Sequence, residues 1–147
     1  MLRWIRNTTA GFVGAIALNA IHEIIRKNVK NAPQINLLGA EAVNKTLSMA
    51  GAHPIQHPND LYKITLETDI IANTAYYSII GGKGKYIWPK AIIMGLSAGI
   101  GALKMPEPLG LDDTPVTHTN TTKALTVGYY LFGALVTAAM LKTILKP

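Results

Sequence analysis

The sequence predicts an all-α polytopic membrane helix bundle: four transmembrane helices, with three as the smaller count, and one amphipathic surface helix. The first observation is the run ALTVGYYLFGALVTAAML, Ala124 to Leu141, which holds no Asp, Glu, Lys, Arg or His. At about 1.5 Å of rise per residue such a run reaches roughly 27 Å, close to the hydrocarbon thickness of a bilayer. Lys123 and Lys142 bracket it, as snorkelling side chains do at a membrane boundary. The second observation is composition: 49% hydrophobic and only 15% charged residues, against about 25% charged in ordinary soluble domains. The third is a mean hydropathy of +0.23, modest for a polytopic chain, so apolar segments must alternate with polar connections.

The elements follow in order, within a single membrane domain over residues 1–147. The start, MLRWIR then AGFVGAIALNAI, imitates a secretory signal but reads better as a first membrane helix over about 4–26, with Trp4 and Arg6 at the interface. Residues 35–50 form the amphipathic helix. Glu41, Asn44, Lys45 and Ser48 fall on one side at helical spacing, and Gly51 is a natural stop. The segment 61–82 is the weakest span, since Lys63, Glu67 and Asp69 precede its uncharged run; Asn59 or Asp60 is placed to cap it. Residues 87–104 form the third span, with Tyr86 and Trp88 as an aromatic belt and Pro89 in the first turn. A proline-rich acidic connection, MPEPLGLDDTPVTHTNTT, leads to the last helix at 122–144. With four spans the basic residues divide evenly between the two sides, so charge asymmetry does not orient the chain.

Several function classes lose support at once. The net charge of +6 comes from basic residues scattered at segment ends, with no aromatic-interleaved patch, so nucleic acid is not an expected partner. The absence of cysteine removes disulfides, thiolate metal sites and cysteine nucleophiles together. His22-Glu23 opens like a helical zinc-hydrolase motif, but the fourth position after His22 is Arg26 and the second ligand is missing. His53 and His57 are four apart with Pro54 between them. No metal site, cofactor or catalytic residue is assigned, and the chain is read as non-enzymatic. Gly81-Gly82-Lys83-Gly84-Lys85 lacks the Ser or Thr of a phosphate loop and reads as a flexible turn.

What stands out is a candidate polar cluster of His22, Glu23, Arg26, Glu67, Asp69 and Asn73. Carboxylates within membrane helices are expensive and commonly mark ion or proton pathways or paired interior contacts. Glu67 and Asp69 lie about 200° apart on a helix, so they face different surroundings: Asp69 shares its side with Asn73, and Glu67 shares its side with Lys63. Glu23 is placed to pair with Arg26 or Lys27. Small residues supply the packing surfaces: Gly95 with Gly99 forms GxxxG, Ser97 and Gly101 repeat it one face over, and Gly11 and Gly14 each sit four from an alanine. Such spacing lets helix backbones approach closely.

The stretch AIHEIIR followed by NAPQINLLG resembles a group of small uncharacterised bacterial integral membrane proteins with a His-Glu-x-x-Arg end to the first helix. The matching positions are His22, Glu23, Arg26, Ala32, Pro33, Asn36 and Gly39. The resemblance implies a bacterial inner-membrane location, and Asn36 is expected to cap the amphipathic helix. The leading functional expectation is a non-catalytic scaffold or accessory subunit, with the lipid bilayer and a membrane-protein partner or a second copy as partners. The alternative is a small oligomeric transporter or channel using Asp69, Asn73 and Glu67.

Overall fold

Apolar side chains recurring through α1 (Arg3–Asn28) form one long helix, and the computed structural model, which describes residues 1–145, shows how its faces are divided. Asn31, at a positive φ of 60°, turns the chain so that Pro33 is buried and α2 (Ile35–Met49) starts. Then come α3 (Pro58–Ser78), α4 (Ile87–Lys104), the short α5 (Thr114–Thr117) and α6 (Asn120–Thr143). All regular structure among the described residues is helical.

Two expected caps are absent. The helix α2 begins at Ile35 behind Gln34, with no side-chain cap bond, so Asn36 lies inside its first turn. The cap position of α3 is His57, again without a side-chain bond, and Pro58 opens the helix; Asn59 and Asp60 are already helical. Proline pre-sets the φ of a first turn and has no N–H to satisfy, which removes the need for a polar cap there. Only α6 is capped conventionally, Thr119 Oγ1 accepting from the Thr122 amide at 3.1 Å. At its other end α3 stops at Ser78 rather than running to 82. Gly82, at φ 147°, adopts a conformation closed to other residues, and Lys90 Nζ donates to the freed carbonyls of Ile79 and Gly81 at 3.0 and 3.1 Å.

Three helices are long and apolar enough to cross a membrane: Arg3–Asn28, Gly84–Lys104 (α4 with its leading 3-10 turn) and Asn120–Thr143. The helix α3 is not among them, because Lys63, Glu67 and Asp69 fall together in its first two-thirds. It nevertheless lies antiparallel along α1. Asn7 meets Gly81, Gly11 meets Thr74 and Ser78, and Asn19 meets Asp69. The packing order is α3–α1–α6–α4, closed by two tyrosines of α3. Tyr76 OH donates to the Met94 carbonyl of α4 at 2.9 Å, and Tyr77 OH donates to the Tyr130 carbonyl of α6 at 2.7 Å.

Close approach depends on missing side chains. A Cβ on Gly11 would stand 2.6 Å from the Thr74 carbonyl oxygen, one on Gly14 2.5 Å from that of Gly133, and one on Gly99 2.6 Å from Val127 Cα. On Gly95 it would meet Leu131 Cα at 2.8 Å. By contrast Gly101 and Gly128 face open space.

One end of the bundle is closed by α2, α5 and their loops. The polar side of α2 does not simply face solvent: Asn44 exchanges two bonds with the backbone of Ile55 (2.8 and 3.2 Å), Glu41 accepts from the Asp112 amide at 3.0 Å, and Lys45 donates to the Leu109 carbonyl. The acidic connection is likewise held down rather than loose. Val116 of α5 is fully buried, the Pro115 carbonyl accepts from the Gln34 amide at 3.0 Å, and Asp112 Oδ1 accepts from the Thr114 amide at 2.9 Å. Those bonds to the ionised form hold the Asp112 carboxyl below the usual carboxylate range.

The glycine contacts give a direct test. Gly99→Ala is expected to destabilise the purified protein by about 1–3 kcal/mol, as overpacking against fixed backbone does. Gly101→Ala, in open space two residues on, should be neutral or stabilising by about 0.5–1 kcal/mol. Denaturant or thermal unfolding in detergent reads both, and equal effects from the two would contradict the packing.

Candidate functional site

Asp69 gathers the polar residues of the bundle. A helical rise places Thr65, Asp69, Asn73 and Tyr77 on one stripe of α3, each four residues from the last, and that stripe faces inward: Thr65, Asn73 and Tyr77 are buried. Asn73 Nδ2 donates to Asp69 Oδ1 at 3.0 Å, and Asn19 Nδ2, from α1, donates to Asp69 Oδ2 at 2.9 Å. Each carboxylate oxygen thus receives one amide N–H, which fixes the orientation of the group and leaves further lone pairs free.

Around this carboxylate lies a small pocket with about 30 Å³ of room for water-sized occupants. Asn19, His22 and Glu23 of α1, Asn36 and Gly39 of α2, and Thr65 and Asp69 of α3 contribute to its wall. Gly39 brings α2 down onto α3, since a Cβ there would stand 2.9 Å from Thr65 Cγ2. Three buried polar atoms of this wall have no hydrogen-bond partner: His22 Nε2, Asn36 Oδ1 and Thr65 Oγ1. His22 and Thr65 are only 2% and 6% exposed. Buried polar atoms are nearly always satisfied in native structures, so three orphans in one small pocket indicate an occupant. Gly39, Thr65 and Asp69 also border a wider, mainly apolar cavity of about 450 Å³ between α2 and α3, reaching Leu47, Ile55 and Ile64.

A third cavity is bordered by both Asp69 and Tyr130, and Tyr130 lies six residues inside the uncharged run that begins at Ala124. The same cavity is bordered by Met105, Pro106 and Leu109 from the end of α4 and the loop after it, so it runs from that loop to the α6 run.

The candidate cluster divides into three parts. Asp69 and Asn73 touch directly, and His22 and Glu23 line the same pocket. Arg26 stands outside it, holding Glu23 Oε2 at 2.8 Å, with Lys27 at 3.7 Å. Glu67 is exposed on the far side of α3, as is Lys63, and no ion pair joins them among the described residues. His53 and His57 belong to no metal-binding group among the described residues. Of the packing glycines, Gly11 faces α3, Gly14 faces α6, and Gly95 and Gly99 face α6 from α4. Two members of the site, Asn19 and Thr65, escape a reading by motif, and Asn36 reads in the sequence as a helix cap rather than as part of it. The signal for Thr65 is the four-residue repeat through Asp69 and Asn73; for Asn19 it is an amide inside an otherwise apolar helix.

No protein family, no curated protein and no solved structure matches the chain.

The hydrogen bonds to Asp69 predict unequal costs for its two neighbouring carboxylates. Asp69→Ala leaves the Asn19 and Asn73 amides unpaired and should destabilise by about 1–3 kcal/mol, while Glu67→Ala should stay within about 0.5 kcal/mol. Unfolding of both variants in the same detergent would decide it, and comparable losses would remove Asp69 from the centre of the site.

Proposed function

We propose that this chain is a small helical protein of the bacterial inner membrane that admits a small ion to Asp69, acting as an oligomeric transporter or channel. One observation carries the reading: a carboxylate among apolar helices, held by Asn19 and Asn73, borders a pocket whose buried polar atoms lack partners. A dry scaffold has no use for such a pocket, because each orphaned polar group costs about 1–3 kcal/mol. The resemblance at His22, Glu23, Arg26 and Asn36 supports the inner-membrane location, and two of those four positions, His22 and Asn36, supply unpartnered atoms. The reading employs Asp69, Asn73 and Asn19, and leaves Glu67 outside. Reconstituted into liposomes, the protein should carry an ion current or flux that falls at least tenfold in Asp69→Asn and is unchanged in Glu67→Gln. No flux from the wild type under any ion gradient would sink it.

A second reading, an accessory subunit seated on a larger membrane assembly, is favoured by a specific feature. Gly95 and Gly99 are used within the chain, whereas Ser97 is exposed and Gly101 faces open space, so α4 retains a small-residue face of the kind that receives another helix. Here Gly101→Leu should release a stoichiometric partner, or a second copy, during purification from native membranes. A wild-type protein recovered alone as a monomer removes this reading.

A further inference from the structure

We propose that the pocket beside Asp69 binds a monovalent alkali cation, with the Asp69 carboxylate as its charge partner and Asn36 Oδ1 and Thr65 Oγ1 as neutral ligands. The inference deepens the ion-handling reading above and rests on it for its physiological meaning, though not for its chemistry.

Charge comes first. Among the described residues no Lys, Arg or His pairs with Asp69. Glu23 of the pocket wall is held by Arg26 at 2.8 Å and faces Lys27 at 3.7 Å, so its carboxylate is already matched by cations of its own helix and those cations are turned to Glu23 rather than to Asp69. Asp69 is partly buried, and a carboxylate shielded from water without a counter-charge carries a desolvation cost that a bound cation would offset. Asp69 has only two amide donors, which orient the group without neutralising it.

Two occupants restore the balance, a proton or a cation, and the donor set separates them. A proton on Asp69 satisfies at most one acceptor. The pocket holds two further unpartnered oxygens, Asn36 Oδ1 and Thr65 Oγ1, contributed by α2 and α3 and brought together where Gly39 lets those helices touch. A cation takes all three oxygens at once. Water would satisfy hydrogen bonds but leave the charge uncompensated. Size is consistent with this: about 30 Å³ of room admits one ion or two to three waters, since a water needs about 10–15 Å³, and the wider cavity beside it is mainly apolar.

Valence and hardness complete the case. The oxygens are one carboxylate and two neutral groups, which suit hard cations; His22 Nε2, the third unpartnered atom of the wall, is left outside the ligand set. Among the described residues no group of three His, Cys, Asp or Glu converges anywhere, and calcium or magnesium sites draw on more carboxylate charge or retained waters. Asp69 is the one carboxylate of this wall that no Lys, Arg or His pairs among the described residues, and a single carboxylate favours a singly charged ion.

The experiment uses the full chain in detergent, with thermal unfolding followed by Trp4 and Trp88 fluorescence while NaCl or KCl replaces choline chloride at constant ionic strength. Wild type should show a saturable rise in Tm with at least one of the two alkali cations, as ligand binding to the folded state requires. Asp69→Asn should abolish that rise and Glu67→Gln should keep it. If Asp69→Asn does not fold, Thr65→Val keeps the shape of the side chain and should raise the half-saturating concentration about tenfold or more. Identical melting in choline, sodium and potassium overturns the proposal and leaves water or a proton as the occupant. A rise retained in Asp69→Asn overturns it as well. The outcomes are separable from those of the flux assay: cation-dependent melting without flux keeps the site and discards transport, whereas flux without cation-dependent melting keeps an ion pathway and discards this site.

Discussion

The helices α1 and α6 cross glycine on glycine: a Cβ on Gly14 would stand 2.5 Å from the Gly133 carbonyl oxygen, and one on Gly133 2.9 Å from that of Gly14. Between helices that cross a bilayer there is no hydrophobic gain from association, and van der Waals packing over such a close approach is what would hold them. That constraint propagates outward. With no Cβ on either glycine, Thr137 Oγ1 and the Tyr77 ring occupy the space beside Gly14, and the Tyr77 hydroxyl reaches the Tyr130 carbonyl. This ties α3 to α6 across α1. The register of α3 against α1 is then set by Gly11 at Thr74, and it is this register that brings Asn19 level with Asp69. A side chain at Gly14 would push α6 away and remove the acceptor for Tyr77 in one step.

The bundle also explains why so polar a helix as α3 is tolerated. Its inward stripe of Thr65, Asp69, Asn73 and Tyr77 is spent on contacts within the chain, while Glu67 and Lys63 face outward. Two of its apolar residues, Ile64 and Ile71, are exposed on a surface that lipid or a partner would cover. With Asp60, Lys63, Glu67 and Asp69 in it, the helix is not among those apolar enough to be a membrane span, yet it lies along one that is.

How much of this was readable in the residues depends on which interactions are local. The uncharged run at 124–141, the small-residue spacing on α1 and α4, and the i to i+3 pairing of Glu23 with Arg26 are all properties of one segment, and the structure has helices and an ion pair there. The Asp69 site is not local. Asp69 is bonded by Asn73 of its own helix and by Asn19 of α1, and its pocket is walled by Thr65 of α3 and Asn36 of α2, so spacing alone exposes Thr65 and Asn73 but neither Asn19 nor Asn36. Reading Asn36 as a cap failed for a related reason: the left-handed turn at Asn31 and the buried Pro33 set where α2 begins, and the first turn absorbs Asn36. The acidic connection misled in the same direction. Its composition indicates a solvated loop, but Glu41, Lys45 and Gln34 bind its backbone from another element.

A consequence for α2 follows from these tethers. Its polar side is engaged by two loops, and its Gly39 face rests on Thr65, so the helix serves as the roof of the Asp69 pocket and not only as a surface segment. The contacts that hold it are of unequal kind. Asn44 and Ile55 exchange paired bonds that are partly buried, whereas the Glu41 and Lys45 contacts are exposed and therefore weak in water. The roof is firmly attached beside the chain leading to α3 and loosely attached on the α5 side. Any motion that opens the pocket to an occupant would be expected to begin at Glu41 and Lys45, leaving Asn44 as the pivot, because the exposed bonds lose least when water replaces them.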